Sequence, residues 1–144
     1  MLSQANYRKT FVVVAVSLAS TIITPVLGSA ANVTSCFDTG VAGASGCSGF
    51  INAFCTFSNT VAPLNSFSGC FNAASGLGYK CDFTAWNLLG TTSATPSVAA
   101  CESTFAAIIS DCPMGGEGNA AGDFTYTIDP NEGSCGADVV ADGS

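Results

Sequence analysis

The sequence predicts a small disulfide-stapled α+β domain, in which an antiparallel sheet of about four strands carries helices on both faces. Three observations indicate this class. Apolar residues alternate with period two in four short segments and recur with helical spacing in two others. Eight cysteines, an even number, follow an apolar N-terminal run. The predicted sheet has few charged positions on either face, so we expect a helix against each face.

The predicted strands are short and are separated by connections that contain glycine or proline. The run 79–88 has the clearest alternation, because its apolar residues occupy positions 79, 81, 83 and 85. The residues between them are polar, except for Trp86. We expect this run to be the central strand. The other predicted strands are 33–37, 66–72 and 124–128.

Two segments carry one apolar stripe each, with the spacing of a helix. The first begins near Ser45 and continues to Cys55. The second follows Thr95, which we expect to cap the helix, with Pro96 in its first position and Pro113 after its end. Residues 114–122 contain four glycines and are predicted as a loop, and residues 129–133 as a turn.

The N-terminus has the pattern of a secretory signal peptide. Two basic residues precede an apolar run at 11–23, Pro25 ends that run, and small residues follow. The run is shorter than the roughly 20 residues of a membrane-spanning helix, so we favour a leader over a membrane anchor. We predict a signal peptide at 1–30, a single domain at 31–144, and a secreted, extracellular protein.

Charge excludes two classes of partner. After the leader, one lysine faces ten acidic residues, which gives a formal net charge of −9. A chain with a single cation cannot neutralise a phosphate backbone, so nucleic acid and anionic membrane surfaces are excluded as partners. A surface of mostly uncharged polar residues suits neutral, hydroxyl-rich partners.

The cysteines predict four disulfides. The sequence contains no histidine and no Cys-x-x-Cys pair, so we predict neither a metal site nor a cofactor. Cysteines that share a predicted helix are too far apart to bond to each other, so each must bond to another segment. The cysteines are Cys36, Cys47, Cys55, Cys70, Cys81, Cys101, Cys112 and Cys135.

A glycosylation sequon, Asn32-Val33-Thr34, lies at the start of the predicted mature chain. Asn32 is therefore a predicted N-glycosylation site. It is the only such sequon in the sequence.

The catalytic options are few. Without histidine the usual Ser-His-Asp and Cys-His arrangements are excluded. Asp82 with Asp123 or Asp129 could form a glycosidase-like carboxylate pair, and the alternative is that these are ordinary surface charges. The run 115–118 lacks the Lys and Ser/Thr of a phosphate loop. We predict no catalytic residue.

Trp86 is the only tryptophan and lies on the polar side of its predicted strand. A sugar site needs a flat apolar ring for the C–H face of a pyranose, together with amide or carboxylate groups that orient its hydroxyls. Asn87 and Asp82 lie nearby in the sequence and offer those groups. The alternative is that Trp86 packs beneath a helix.

Several motifs resemble a family of small secreted mushroom proteins whose named member is a glycan-binding lectin. They are the run 79–87, Thr-Pro-Ser-Val at 95–98, Cys-Pro-Met-Gly-Gly at 112–116, and the segment 124–131 that ends in Asp-Pro-Asn. The resemblance implies a single α/β/α sandwich held by disulfides. It also implies binding of N-acetylhexosamine-containing glycans without catalysis, and a homodimer.

We therefore predict a secreted, lectin-like glycan-binding protein that is not an enzyme. The predicted site comprises Trp86 as a stacking plane, Asn87 as an amide donor and acceptor, Asp82 as a hydroxyl acceptor, and Tyr126 as a second plane. One alternative is a secreted effector or inhibitor that binds a host or competitor protein, and another is a carboxylate-based hydrolase. The predicted partners of the lectin-like protein are glycans or glycoproteins.

Overall fold

The computed structural model describes residues 30–57, 59–120 and 122–136. The predicted signal peptide, apart from its last residue, lies outside this part of the chain. A 3₁₀ helix at Ala44–Phe50 runs into the first α-helix. In chain order the strands and α-helices are β1 (Asn32–Cys36), α1 (Ile51–Thr56), β2 (Ser66–Asn72), β3 (Tyr79–Asn87), α2 (Val98–Asp111), β4 (Gly116–Asn119) and β5 (Phe124–Glu132).

The strands form one antiparallel sheet in the order β1-β4-β5-β3-β2. This confirms the predicted α+β class and antiparallel sheet. The run predicted to be central, β3, is instead the fourth strand, between β5 and β2, and β5 occupies the centre. The predicted turn at 129–133 is also different, because β5 continues through Pro130 to Glu132.

The fifth strand, β4, lies within the glycine-rich stretch that was predicted as a loop. Gly118 approaches its neighbours so closely that an added Cβ would lie 2.9 Å from the Asn32 carbonyl oxygen and from the Thr104 methyl carbon. Gly116 is equally confined, against the backbone of β1. These glycines let β1 and α2 pack against β4, so here glycine indicates close packing of a strand.

One side of the sheet, here called the covered face, carries the core. It includes Cys81, Phe83 and Ala85 of β3 with Tyr126 and Ile128 of β5, all of them buried. Phe83 stacks on Phe54 of α1 at 5.4 Å between ring centroids and meets Phe105 of α2 edge-on at 4.9 Å. Such aromatic pairs contribute about 0.5–1.5 kcal/mol each beyond the area they bury.

All three helical segments that the structure describes pack on the covered face. The 3₁₀ helix is bonded to that face through the Cys47–Cys81 disulfide, and both α-helices contact Phe83. The prediction of helices on both faces therefore differs from the structure, which has helices on one. The scarcity of charge on the other face has another cause: its residues are mostly uncharged hydroxyl and amide side chains.

Every cysteine is paired, and no bond joins two cysteines of the same helix, as predicted. The four bonds tie β1 to the residue after α2, the 3₁₀ helix to β3, α1 to α2, and β2 to the segment after β5. They are Cys36–Cys112, Cys47–Cys81, Cys55–Cys101 and Cys70–Cys135. Each closes a long loop, for which a disulfide stabilises by about 2–4 kcal/mol.

Helix α2 begins two residues later than predicted. Ser97 caps it by accepting a hydrogen bond from the Ala100 N–H at 3.5 Å, while Thr95 lies outside the helix. This helix has 14 residues. In the described ranges, no helix combines the length and apolar character needed to cross a membrane.

Candidate functional site

The sheet surface opposite the helices, here called the open face, is polar along its whole length. Directly paired strand residues point to the same side of a sheet, so the registers define its members. Six of them are serines or threonines. The members are Asn32 and Ser35 of β1, Ser66, Ser68, Cys70 and Asn72 of β2, Lys80, Asp82, Thr84 and Trp86 of β3, Glu117 and Asn119 of β4, and Thr125, Thr127, Asp129 and Asn131 of β5.

Trp86 is the large apolar member of the open face, and its side chain is 40% exposed. It does not pack beneath a helix, because the helices lie on the other side of the sheet. Its cross-strand neighbours are Ser66 on one side and Thr125 on the other. Beyond them, the Ser68 and Thr84 hydroxyls hydrogen-bond to each other at 3.0 Å. An exposed indole is thus surrounded by hydroxyl groups.

Asp82 lies on the open face four residues before Trp86, on the same side of β3. Its carboxylate forms an ion pair with Lys80 at 2.7 Å and accepts a hydrogen bond from the Asn131 amide at 3.0 Å. Asp129 is its direct cross-strand neighbour. The two carboxylates are therefore adjacent, but both are partly exposed on a sheet surface.

Asn87 does not share this surface. Its side chain is 0% exposed on the covered side of the sheet. The amide nitrogen donates to the carbonyl oxygens of Val61, Ala62 and Thr92 at 3.0–3.2 Å, and the amide oxygen accepts from the Leu89 N–H at 3.0 Å. All of its polar capacity is used to hold the loops around it. The structure therefore places Asn87 in a structural position, away from Trp86.

Tyr126 also lies on the covered face, only 2% exposed, with its ring edge-on to Phe105 at 5.5 Å. It cannot stack on a ligand that contacts Trp86 from the open face. Instead it lines a cavity of about 130 Å³ between the N-terminus of α2 and the start of β5, here called the α2–β5 cavity. Thr95, Ser97, Asp123 and Phe124 also line it.

The burial of Tyr126 makes the folding stability depend on pH in the alkaline range. Desolvation raises the pKa of Tyr126 from 10.0 to about 12. Between these values the unfolded chain ionises while the folded protein stays neutral, so stability falls as pH rises from 10 to 12. We expect a loss of roughly 2–3 kcal/mol, since each unit is worth about 1.4 kcal/mol. Urea unfolding across this range should show the loss in the wild type and not in Tyr126→Phe.

The structure thus divides the predicted site. Trp86 and Asp82 lie together on the open face, and Asn87 and Tyr126 lie on the covered side. Sequence reasoning missed the contributions of β2 and β5 to the open face, such as Ser66, although alternation alone marked those residues as facing away from the core. It also missed the residues around the α2–β5 cavity, whose proximity depends on tertiary packing.

Two further predicted features can be located. Asn32 of the sequon is exposed on β1, where it pairs with Asn119 of β4. Thr34 of the sequon donates its hydroxyl to the Glu117 carbonyl oxygen at 3.0 Å. In the part of the chain that the structure covers, no group of three or more metal-ligating side chains could hold a metal ion.

Comparison with known proteins gives two matches. A family model described as glycan binding domain Y3 matches residues 46–135, which run from the 3₁₀ helix to the last cysteine. Antiviral protein CAP from Coprinus comatus is 32% identical over 94 residues, which cover 62% of this chain and 90% of the relative. The family match includes β2 to β5 and α2, and so both the open face and the α2–β5 cavity.

Proposed function

Because this chain belongs to the Y3 glycan-binding domain family, and is on that ground a lectin-like glycan-binding protein, we propose that its open face holds neutral, N-acetylhexosamine-containing glycans without catalysis. The resemblance found in the sequence is confirmed at the level of the family. The proposal concerns which sugar is bound and where it binds.

The observation that carries the proposed location is the exposed indole of Trp86 within a hydroxyl-rich sheet surface. The apolar face of a pyranose ring stacks on such an indole. The Ser66 hydroxyl lies on one side and can donate or accept hydrogen bonds. The Thr125 hydroxyl lies on the other side, donates to the Glu117 carboxylate and the Gly118 carbonyl oxygen at 3.2 Å, and can still accept from a sugar hydroxyl. Asp82 adds a carboxylate acceptor farther along the same strand.

The charge of this surface favours neutral glycans. The open face carries the carboxylates of Asp82, Glu117 and Asp129, while its lysine, Lys80, is already paired with Asp82. Sialylated or sulfated glycans would bring further negative charge to a protein that is strongly acidic overall. We therefore expect uncharged saccharides to bind best.

The carboxylates do not favour the hydrolase alternative. Glycosidases place one carboxylic acid in an apolar pocket, where its pKa rises, opposite a second carboxylate across the scissile bond. Asp82 and Asp129 are instead partly exposed on an open sheet, and Asp82 is held by Lys80 and Asn131. We therefore propose that bound glycans are released unchanged.

The test is a glycan array and calorimetry with wild type and Trp86→Ala. We expect the substitution to weaken binding by at least roughly 30-fold, corresponding to about 2 kcal/mol for a tryptophan at the centre of a contact. Its thermal stability should change little, because Trp86 lies outside the core. Leu77→Ala is the matched control, since Leu77 is also an exposed apolar residue but lies outside the open face.

The possible outcomes test the location of the glycan site and the glycan-binding function separately. If Trp86→Ala binds like the wild type, the open face is not the glycan site. If the wild type binds no glycan, the proposal itself is wrong. Selective capture of one host or competitor protein without any glycan signal would favour the effector or inhibitor hypothesis instead.

We also propose that the protein is secreted, that cleavage near residue 30 releases the domain, and that it acts as a homodimer. Each open-face contact is modest, so two copies would raise the apparent affinity through avidity. The single lysine of the mature chain leaves nucleic acid and anionic membranes as unfavourable partners.

A further inference from the structure

The α2–β5 cavity has the dimensions of a pocket for one small chemical group. Its volume is about 130 Å³, and it opens to solvent beside Asp123. A cavity of about 150 Å³ in another protein accommodates benzene. The α2–β5 cavity can therefore take a substituent of fewer heavy atoms than benzene, while the rest of the ligand stays outside.

The Tyr126 hydroxyl points to what would bind there. Although the residue is 98% enclosed, with only 2% exposed, this hydroxyl has no hydrogen-bond partner among the described residues. Among those same residues no completely buried side-chain nitrogen or oxygen lacks a partner. The hydroxyl must therefore reach the cavity that its residue lines, where a bound acceptor could satisfy it.

The wall of the cavity combines hydrogen-bond donors with small apolar groups. The first turn of α2, at Ser97 and Ala100, presents the positive end of the helix dipole. Ala100 and Ala120 supply methyl groups, and Phe124 supplies an aromatic ring. The Tyr126 hydroxyl, whose pKa burial raises to about 12, is protonated at physiological pH and can donate.

Charge excludes an anionic occupant. Asp123 is the charged residue of the lining, and its carboxylate would repel a phosphate, sulfate or carboxylate. The one lysine in the described ranges, Lys80, belongs to the opposite face of the sheet. The fitting group is therefore neutral, with an acceptor oxygen for Tyr126 and a methyl group for the alanines.

We propose that the α2–β5 cavity is a second binding site, which takes the acetamido group of an N-acetylated sugar. The Tyr126 hydroxyl donates to the acetyl carbonyl oxygen, and the acetyl methyl group packs against Ala100 and Ala120. The sugar ring remains at the opening, where the Asp123 carboxylate accepts hydrogen bonds from its hydroxyls. Choosing a sugar as the bearer of this group rests on the proposed function.

The cavity and Trp86 lie on opposite sides of the sheet, so one monosaccharide cannot contact both. Trp86 pairs with Thr125, whose neighbours Phe124 and Tyr126 face the other way into the cavity. The proposal thus gives each chain two independent sugar contacts. An N-acetyl group is required at one of them only.

The experiment is an NMR titration of the wild-type protein with the methyl glycosides of N-acetylglucosamine and of glucose. Signals of Ala100 and Ala120 report on the cavity, and the Trp86 indole N–H reports on the open face. We expect only the N-acetylated glycoside to shift the alanine signals. N-acetyllysine amide, which carries the same group without a sugar, should bind the cavity more weakly because it lacks the hydroxyls that reach Asp123.

Two variants test the contacts. Tyr126→Phe removes a single hydroxyl and keeps the ring in the core, and it should weaken cavity binding roughly three- to tenfold, as expected for one neutral hydrogen bond. Ala100→Leu should fill the cavity and abolish the shift of Ala120, which is the cavity signal that remains in this variant. Ala99→Leu is its control, because Ala99 is exposed on the same helical turn and does not line the cavity.

The proposal is overturned if both glycosides shift Ala100 and Ala120 equally, if N-acetyllysine amide binds the cavity more tightly than the sugar, or if Tyr126→Phe binds like the wild type. Shifts confined to Trp86 would also overturn it while leaving the open-face proposal intact. Shifts confined to the alanines would support the cavity and reject the open face. No shift at either face would reject both.

Discussion

An Asn87→Asp variant is expected to lose a large part of its folding stability. The change replaces an amide that donates to three backbone carbonyls with a carboxylate, which brings negative charge towards those same oxygens. Because Asn87 is fully buried, water cannot replace the lost donors. The Val61 and Ala62 carbonyls each keep a backbone N–H partner, whereas the Thr92 carbonyl loses its donor, which costs about 1–3 kcal/mol. The buried carboxylate has no positive partner and costs more, so we expect a total loss of at least roughly 3 kcal/mol.

That loss is large compared with the total stability of about 5–15 kcal/mol that is typical of a small domain. It should be measured by urea unfolding of wild type and variant. A buried carboxyl without a positive partner has a raised pKa, so the deficit should shrink as pH falls and the group becomes protonated. Asn65→Asp is the control, since Asn65 is exposed and its side-chain oxygen only accepts from the Ser66 N–H.

The same experiment decides what Asn87 does. If Asn87→Asp keeps wild-type stability but loses glycan binding, Asn87 contacts the ligand and its buried network is dispensable. The structure predicts the opposite result. Any loss of binding in this variant should follow the unfolded fraction and disappear under conditions where the variant is fully folded.

The alternation of residues in the sequence already indicated that Asn87 lies on the core side of its strand. Positions 79, 81, 83 and 85 were assigned to the core side of β3, and Asn87 continues that series. Tyr126 likewise shares one side of β5 with Phe124 and Ile128. Amide and aromatic chemistry suggested a ligand site, but the two-residue period of a strand decided which side each side chain occupies.

Local rules predicted the elements whose stability comes from their own residues. β2 has the predicted bounds, β3 ends within one residue of the prediction, and α2 begins two residues after its predicted start at Pro96. β4 could not be predicted in this way, because its glycines are explained by β1 and α2, which are distant in the chain. The α2–β5 cavity depends on the same long-range packing.

A Gly115→Ala variant is expected to be destabilised by about 2–5 kcal/mol. Gly115 lies in the turn between α2 and β4, within the Cys-Pro-Met-Gly-Gly motif, and has φ of +86°. An L-residue pays about 1–2 kcal/mol for a left-handed conformation. An added Cβ would also overlap the Ile128 carbonyl oxygen and lie 2.8 Å from the Pro130 ring. Relieving that overlap requires β5 to move, which costs about 1–3 kcal/mol more.

A Gly133→Ala variant separates the cost of the left-handed conformation from the cost of the steric overlap. Gly133 has φ of +96°, but no atom lies within 4 Å of the position of an added Cβ. It should therefore show only the conformational cost. Urea unfolding of both variants measures the difference, which we expect to be at least about 1 kcal/mol. Equal destabilisation would mean that β5 moves away freely, and the motif would then be needed only for its turn. A larger loss at Gly115 would show that this glycine holds the turn after α2 against the central strand, next to the Cys36–Cys112 disulfide.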